Sequence, residues 1–281
     1  MTDSERLLAE IDQDHHSGAT ALTRRAAEAL HRRFREDDRI SGLEAFADRL
    51  TNAQPTMASI RNLVERAKAA ARVGSLSNTG HAIDRFVEEL DSSTERIARE
   101  AQALLAHVER VVTISASSTV AAALRDAHQA DPHLRVVCPE SRPLREGVTL
   151  AESLTGAGMA ATVCTDALAP SMVRDADVVL IGGDALAPEG LVNKSGTFPL
   201  ALAAGHFHVP CVALVSRLKV LPRFDTDWIA EMTPAEVADV DDARVRVVNR
   251  YFELTPLALL THVVTEHGVS ADIAPDHELF A

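Results

Sequence analysis

The chain has 281 residues, enough for one large domain or two ordinary ones, and 46% of them are hydrophobic, ample for a packed core. Its 41 acidic and 28 basic residues leave a net charge of −13, a diffuse negative field that argues against direct nucleic-acid or anionic-membrane binding. No apolar run approaches the roughly 18 residues a membrane span needs, and the polar, acidic opening residues do not resemble a signal peptide, so a soluble, cytoplasmic protein is expected.

Residues 1–108 carry helical signals almost throughout. In 19–35 the apolar positions Ala26, Leu30 and Phe34 recur every four residues. Ser41 is placed to cap a helix through Leu50, and Pro55 opens another over 56–72 with Met57, Ile60, Val64 and Ala67 on one face. Residues 74–80 read as a loop and 81–108 as one long helix or two. His15 and His16 fall in a polar leader.

Past Arg110 the period changes. Apolar, β-branched runs at 111–114, 134–138, 160–164, 177–181 and 209–215 alternate with helix-like stretches, and 245–248 is a last candidate strand. Such alternation predicts a doubly wound parallel sheet with right-handed crossovers. The expected fold class is therefore α/β: a helical N-terminal domain, 1–108, followed by a Rossmann-like sheet domain, 109–281.

In open parallel sheets, ligands bind beyond the carboxyl ends of the strands. Ser115, Ser117 and Ser118 open a helix there, where hydroxyls and backbone N–H groups serve equally to cap the helix or to hold a phosphate. Glu140 and Arg142 follow the second strand, as a phosphate clamp or a structural pair. Asp184 follows two glycines at the end of the fourth strand, a position for loop capping or proton handling. Asn193 and Lys194 precede the next helix, and Lys194 is one of only three lysines, with Lys68 and Lys219. Arginine over lysine, abundant alanine and high acid content are the composition of a halophilic or high-GC source.

The three cysteines, Cys138, Cys164 and Cys211, show no CxxC spacing and sit in or beside apolar runs, as small buried hydrophobes in a reducing compartment. The histidines make no HExxH or similar motif, so no metal is assigned, and without GxGxxG or a P-loop no cofactor is either.

Several of these segments together carry a family pattern. Gln54-Pro55-Thr56 with Asn62, Glu140-Ser141-Arg142-Pro143 with Gly147, Gly182-Gly183-Asp184, Asn193-Lys194-Ser195-Gly196-Thr197, and Asn249 through Phe252-Glu253 to Thr255-Pro256 occur in order. The chain thereby resembles the family that joins the alpha, beta and delta subunits of eukaryotic translation initiation factor two-B with ribose-1,5-bisphosphate isomerase and methylthioribose-1-phosphate isomerase. The resemblance runs from about Gln54 to the C-terminus. It implies a helical domain on a Rossmann-like one and a homodimer or higher oligomer, with a phosphorylated small molecule and a protein as possible partners.

The family's isomerases use a cysteine and an aspartate. Asp184 falls on the aspartate position, whereas Ser115 stands at the cysteine position. A serine hydroxyl is a far weaker acid than a thiol and needs a neighbouring base. The resemblance therefore points to an initiation-factor-like regulatory protein without catalysis, retaining a sugar-phosphate or nucleotide pocket. The alternative is a sugar-phosphate aldose–ketose isomerase with Asp184 as its acid/base and with Lys194 and Arg142 on phosphate.

Overall fold

The computed structural model describes residues 1–36, 40–73, 76–271 and 273–280. Helix α1, Asp3–Gln13, begins where the Thr2 hydroxyl accepts from the Glu5 N–H at 3.3 Å. Asp3 and Glu5 put negative charge at the positive end of its dipole, and Leu7, Leu8 and Ile11 form its buried face. Helices α2 (Ala19–Glu36), α3 (Ile40–Ala53) and α4 (Ala58–Val73) share a core built on Leu22, Leu30, Phe46, Leu50, Ile60 and Leu63. Each such side chain contributes roughly 1.5–3 kcal/mol by leaving water. Helix α3 starts at Ile40; the Ser41 side chain, expected as its cap, lies outside the described residues.

Helix α5, Leu76–Leu105, is one helix of 30 residues, about 45 Å at the α-helical rise. The expected loop over 74–80 is thus helical from Leu76 onward, while its first two residues lie outside the described set. The early part of α5 joins the helical core through Ile83, Phe86 and Leu90. Its later part, Ile97, Ala101 and Leu105, packs with the sheet instead. One helix therefore serves both cores.

The sheet segment runs β1 (Arg110–Val112), α6 (Ser118–Ala130), β2 (Arg135–Pro139), α7 (Glu146–Gly156), β3 (Ala160–Cys164), α8 (Ala169–Met172) and β4 (Val178–Ile181). A hairpin, β5 (Ala185–Ala187) and β6 (Gly190–Lys194), precedes α9 (Thr197–Phe207) and β7 (Cys211–Leu214). Strands β8 (Phe252–Thr255), β9 (His262–Thr265) and β10 (Gly268–Ala271) follow. Among the described residues the main sheet has seven strands in the order β10-β9-β7-β4-β1-β2-β3, parallel except for β10. Strands β5, β6 and β8 form a separate antiparallel sheet.

Alternation explains the central strands. Val178, Leu180, Val212 and Leu214 enter the core under α5 and α6, while Val179, Ile181, Cys211 and Ala213 enter the core on the opposite face. A strand buried on both faces reads as an unbroken apolar run, which is how the sequence presents it. The order reverses at β1: from there β2 and β3 lie to one side, β4, β7 and β9 to the other. The crevice beyond the ends of β1 and β4 is thus the switch point where such sheets take ligands.

Residues 245–248, expected as a strand, do not form one. Asp242 accepts from the Arg244 N–H at 2.9 Å, and the Val245 N–H turns back to the Asp242 carbonyl at 2.9 Å, so a turn occupies the ladder's place. The closing strands are β8 to β10 further on. Among the described residues no helix is long and apolar enough to cross a membrane.

Candidate functional site

The switch point opens into a cleft of ≈590 Å³ roofed by the helical segment. After β1 the chain turns sharply at Ser115, whose φ of 61° is left-handed. Its N–H donates to Ser141 Oγ at 2.9 Å, which holds the turn against the β2 end. Ser117 then caps α6, its hydroxyl accepting from the Val120 N–H at 3.3 Å. The positive end of that helix faces the cleft beside Ser118. A Cβ on Gly182 would stand 2.6 Å from Ser117 Oγ, so only glycine lets the β4 end lie against this cap.

Asp184 is fixed by its backbone. Its N–H donates to the Val192 carbonyl at 2.9 Å, and its own carbonyl accepts from the Ala58 N–H at the start of α4, at 3.2 Å. The side chain has no hydrogen-bond donor among the described residues. Burial pushes its carboxyl above the usual aspartate range, with Lys219 and Lys194 opposing and Glu146 reinforcing. Lys219 donates to the Gly183 carbonyl at 2.7 Å. Burial pushes its amine down, and Asp184 pulls it part of the way back. Asn62, on α4, sets the Lys219 segment: its Nδ2 donates to the Leu218 and Val220 carbonyls, both at 2.9 Å.

Lys194 ends β6 and is buried. It pairs with the Glu146 carboxylate in the first turn of α7, and its ammonium lies 4.7 Å from the Tyr251 ring centre. The Tyr251 hydroxyl donates to Glu236 at 2.6 Å; burial first, then that carboxylate, raises its pKa. Asn193 is held in the cleft wall: its Nδ2 donates to Thr197 Oγ1 at 3.0 Å, and the Thr197 hydroxyl donates to the Lys194 carbonyl at 2.6 Å. The N-terminus of α9 is already filled, because Glu253 accepts from the Gly196 and Phe198 N–H groups at 2.7 and 2.8 Å.

Of the residues singled out from sequence, Ser115, Ser117, Ser118, Asp184, Asn193 and Lys194 line this cleft; Glu140 and Arg142 do not. Asp166 accepts from the Ser141 and Arg142 N–H groups, each at 2.7 Å, and turns the chain outward. The exposed Arg142 guanidinium donates to the Glu236 carbonyl at 3.2 Å. The Glu140 N–H donates to the Cys164 carbonyl at 2.8 Å.

Sequence reasoning missed Glu146, Lys219, Gln54 and the pair His15–His16, all in the lining. The lysine scarcity that marked Lys194 applied equally to Lys219. Gln54 was read only as part of a motif, but its Nε2 donates to the Ile11 carbonyl at 2.7 Å and the Asp14 carbonyl at 3.2 Å, anchoring the α1–α2 loop over the cleft. No local signal marks that placement of the two histidines. No cysteine is in the lining; burial pushes the Cys138 and Cys211 thiols up to about 12. Among the described residues no group of three or more His, Cys, Asp or Glu is placed to hold a metal ion.

A family model described as the initiation factor 2 subunit family matches residues 14–272. Over 267 residues the chain is 27% identical to a Pyrococcus horikoshii protein named for translation initiation factor eIF-2B subunit 2, as like it, with 94% of each chain covered. It is 25% identical over 265 residues to ribose 1,5-bisphosphate isomerase of Methanocaldococcus jannaschii, covering 90% of this chain and 86% of that one. The solved structure of the Pyrococcus horikoshii OT3 translation initiation factor eIF-2B superposes with a TM-score of 0.84 at 26% identity, covering 96% and 97% of the two chains.

Proposed function

Because the chain belongs to the initiation factor 2 subunit family, which spans initiation-factor-like proteins and sugar-phosphate isomerases, we propose that it binds a phosphorylated small molecule in the switch-point cleft without transforming it. The observation that carries this reading is Ser115. It occupies the turn after β1 with its hydroxyl unpaired among the described residues, and no thiol shares the cleft with Asp184. A hydroxyl without a base is a poor nucleophile and a poor acid near neutrality. The phosphate end of the ligand lies at the α6 N-terminus, against the Ser117 and Ser118 hydroxyls. Asp184, Lys219 and Lys194 shape the other end.

The same reading makes the protein a subunit of an assembly, a dimer or higher homo-oligomer that also meets a protein partner. Leu168 beside α8 and Phe198 and Leu202 on α9 are exposed apolar side chains suited to such contact. Calorimetric titration with ribose 1,5-bisphosphate, ribose 5-phosphate and nucleoside monophosphates tests the binding; absence of heat with all of them would overturn it.

One observation favours the isomerase alternative: Asp184 lines the cleft half-buried, with its carboxyl pKa raised by desolvation. Turnover of ribose 1,5-bisphosphate or methylthioribose 1-phosphate that disappears in Asp184→Asn would establish it.

A further inference from the structure

The helical segment carries a second cavity, a groove of ≈500 Å³ between the end of α4 and the start of α5. Ala70 and Val73 of α4 form one wall, and Asn78, His81 and Arg85, one stripe of α5, form the other. These three polar side chains have no partner among the described residues. Carboxylates close by are engaged elsewhere: Asp84 pairs with His31 at 2.9 Å and Glu89 with Arg66 at 2.7 Å. Helix α4 adds Arg61, Arg66, Lys68 and Arg72 against Glu65 alone. In a chain of net charge −13 the groove is a local basic site, and its other wall is apolar, Val73 being 93% exposed.

The complementary surface lies in the sheet segment. Residues 224–243 hold no lysine, arginine or histidine. Within them Asp239-Val240-Asp241 is exposed and forms neither helix nor strand. Val240 is 43% exposed, and neither aspartate has a partner among the described residues. Asp242 is taken by Arg244, and Glu236 by Tyr251 and Asn249, which fixes the base of the loop to the sheet segment. In an extended stretch alternate side chains point to opposite sides. Both aspartates then face one wall of the groove, Arg85 and His81, while Val240 faces Ala70 and Val73. The loop is absent from the lining of its own groove. Helix α4 starts against the sheet segment, where Ala58 bonds to Asp184, and its 16 residues put the groove about 24 Å further on.

We propose that the 239–241 loop of one copy docks in the α4–α5 groove of a second copy. The proposal rests on the self-association proposed above and adds to it a contact separate from the Leu168, Phe198 and Leu202 face. A groove on one copy and a loop on the next make a head-to-tail contact, which repeats until it closes into a ring or runs on as a filament. Complementary charge steers the encounter and sets its register, and salt screens it.

Sedimentation velocity of the full chain over a concentration series, in about 0.02 M and about 0.5 M salt, tests the contact. Wild type should form species beyond the dimer in low salt, and these should shrink in high salt. Arg85→Glu, and separately Asp239→Lys with Asp241→Lys, should each weaken that association by about tenfold or more. The chain carrying all three changes should regain it to within about threefold, because the charges are then exchanged, not lost. All three positions are exposed, and melting curves confirm that each variant is folded. Wild type that stops at the dimer, association that ignores salt or either set of changes, or no recovery in the combined variant overturns the proposal and leaves assembly through the apolar face standing. Wild type that stays monomeric at every concentration in low salt overturns the assembly reading and this contact together.

Discussion

Lys219 Nζ donates to the Gly183 carbonyl at 2.7 Å, so its ammonium is tied to the backbone one residue short of Asp184 and not to the carboxylate itself. Both groups are half-buried at the cleft wall, where the low-polarity surroundings act against their charges. The Asp184 carboxyl is pushed up and the Lys219 amine down, and each offsets the other only in part. A pair left unjoined in this way is held open at the wall of the cleft.

A pH dependence follows for Asp184. Its folded-state pKa lies above the ordinary 3.8, so the folded state binds the proton more tightly than the unfolded chain. The stability linked to that proton is present below the ordinary value and is lost as pH rises through the raised one. Asparagine mimics the neutral form at every pH. The unfolding free energy of Asp184→Asn relative to wild type should therefore climb between about pH 4 and neutrality in urea titrations. A difference that stays flat or falls over this window contradicts the account.

Asn62 couples the helical segment to the cleft through its paired bonds to the Leu218 and Val220 carbonyls. Asn62→Ala leaves both acceptors unpaired and should destabilise the protein by about 1–3 kcal/mol in urea unfolding. Ligand affinity should weaken as well, because Lys219 sits between those carbonyls. Unchanged stability and affinity would show that the segment needs no such clamp.

Gly147 brings the start of α7 against the end of β2. A Cβ there would fall 1.7 Å from the Pro139 carbonyl oxygen, so alanine forces the helix off the strand. Gly147→Ala should cost about 3 kcal/mol or more by denaturant unfolding. A cost under about 1 kcal/mol would mean that the contact relaxes freely.

Much of the architecture was legible because its signals are local. The unbroken apolar runs of β4 and β7 announced strands covered on both faces, and Met57, Ile60, Val64 and Ala67 drew the buried face of α4. The cleft lining was legible where the chain changes period, at Ser115, Ser117, Asp184 and Lys194. It was illegible where distance in sequence decides. Nothing near Glu146 says that Lys194 will reach it, and nothing near Asn62 says that it will hold carbonyls more than 150 positions away. Arg142 shows the converse: its local pattern suggested a phosphate clamp, but the Asp166 carboxylate turns its backbone outward. The valines at 245 and 248 misled because alternation alone does not supply a neighbouring strand.

The thiols provide an independent check on the cleft. Burial pushes Cys138 and Cys211 up to about 12, and Cys164, also raised by burial, sits in the edge strand away from the cleft. Iodoacetamide at neutral pH should leave Cys138 and Cys211 unmodified in the native protein and modify all three thiols after unfolding. Alkylation of Cys164 should leave ligand affinity unchanged. Loss of binding on native-state alkylation would place a thiol in the site.

The most direct measurement is a phosphorus NMR time course of ribose 1,5-bisphosphate with the purified protein. It reads binding and turnover from the same resonances. The account predicts that the ligand signals shift or broaden on adding protein and that no new phosphate ester signals grow in over hours. Steady conversion to a second bisphosphate, abolished in Asp184→Asn, would contradict it.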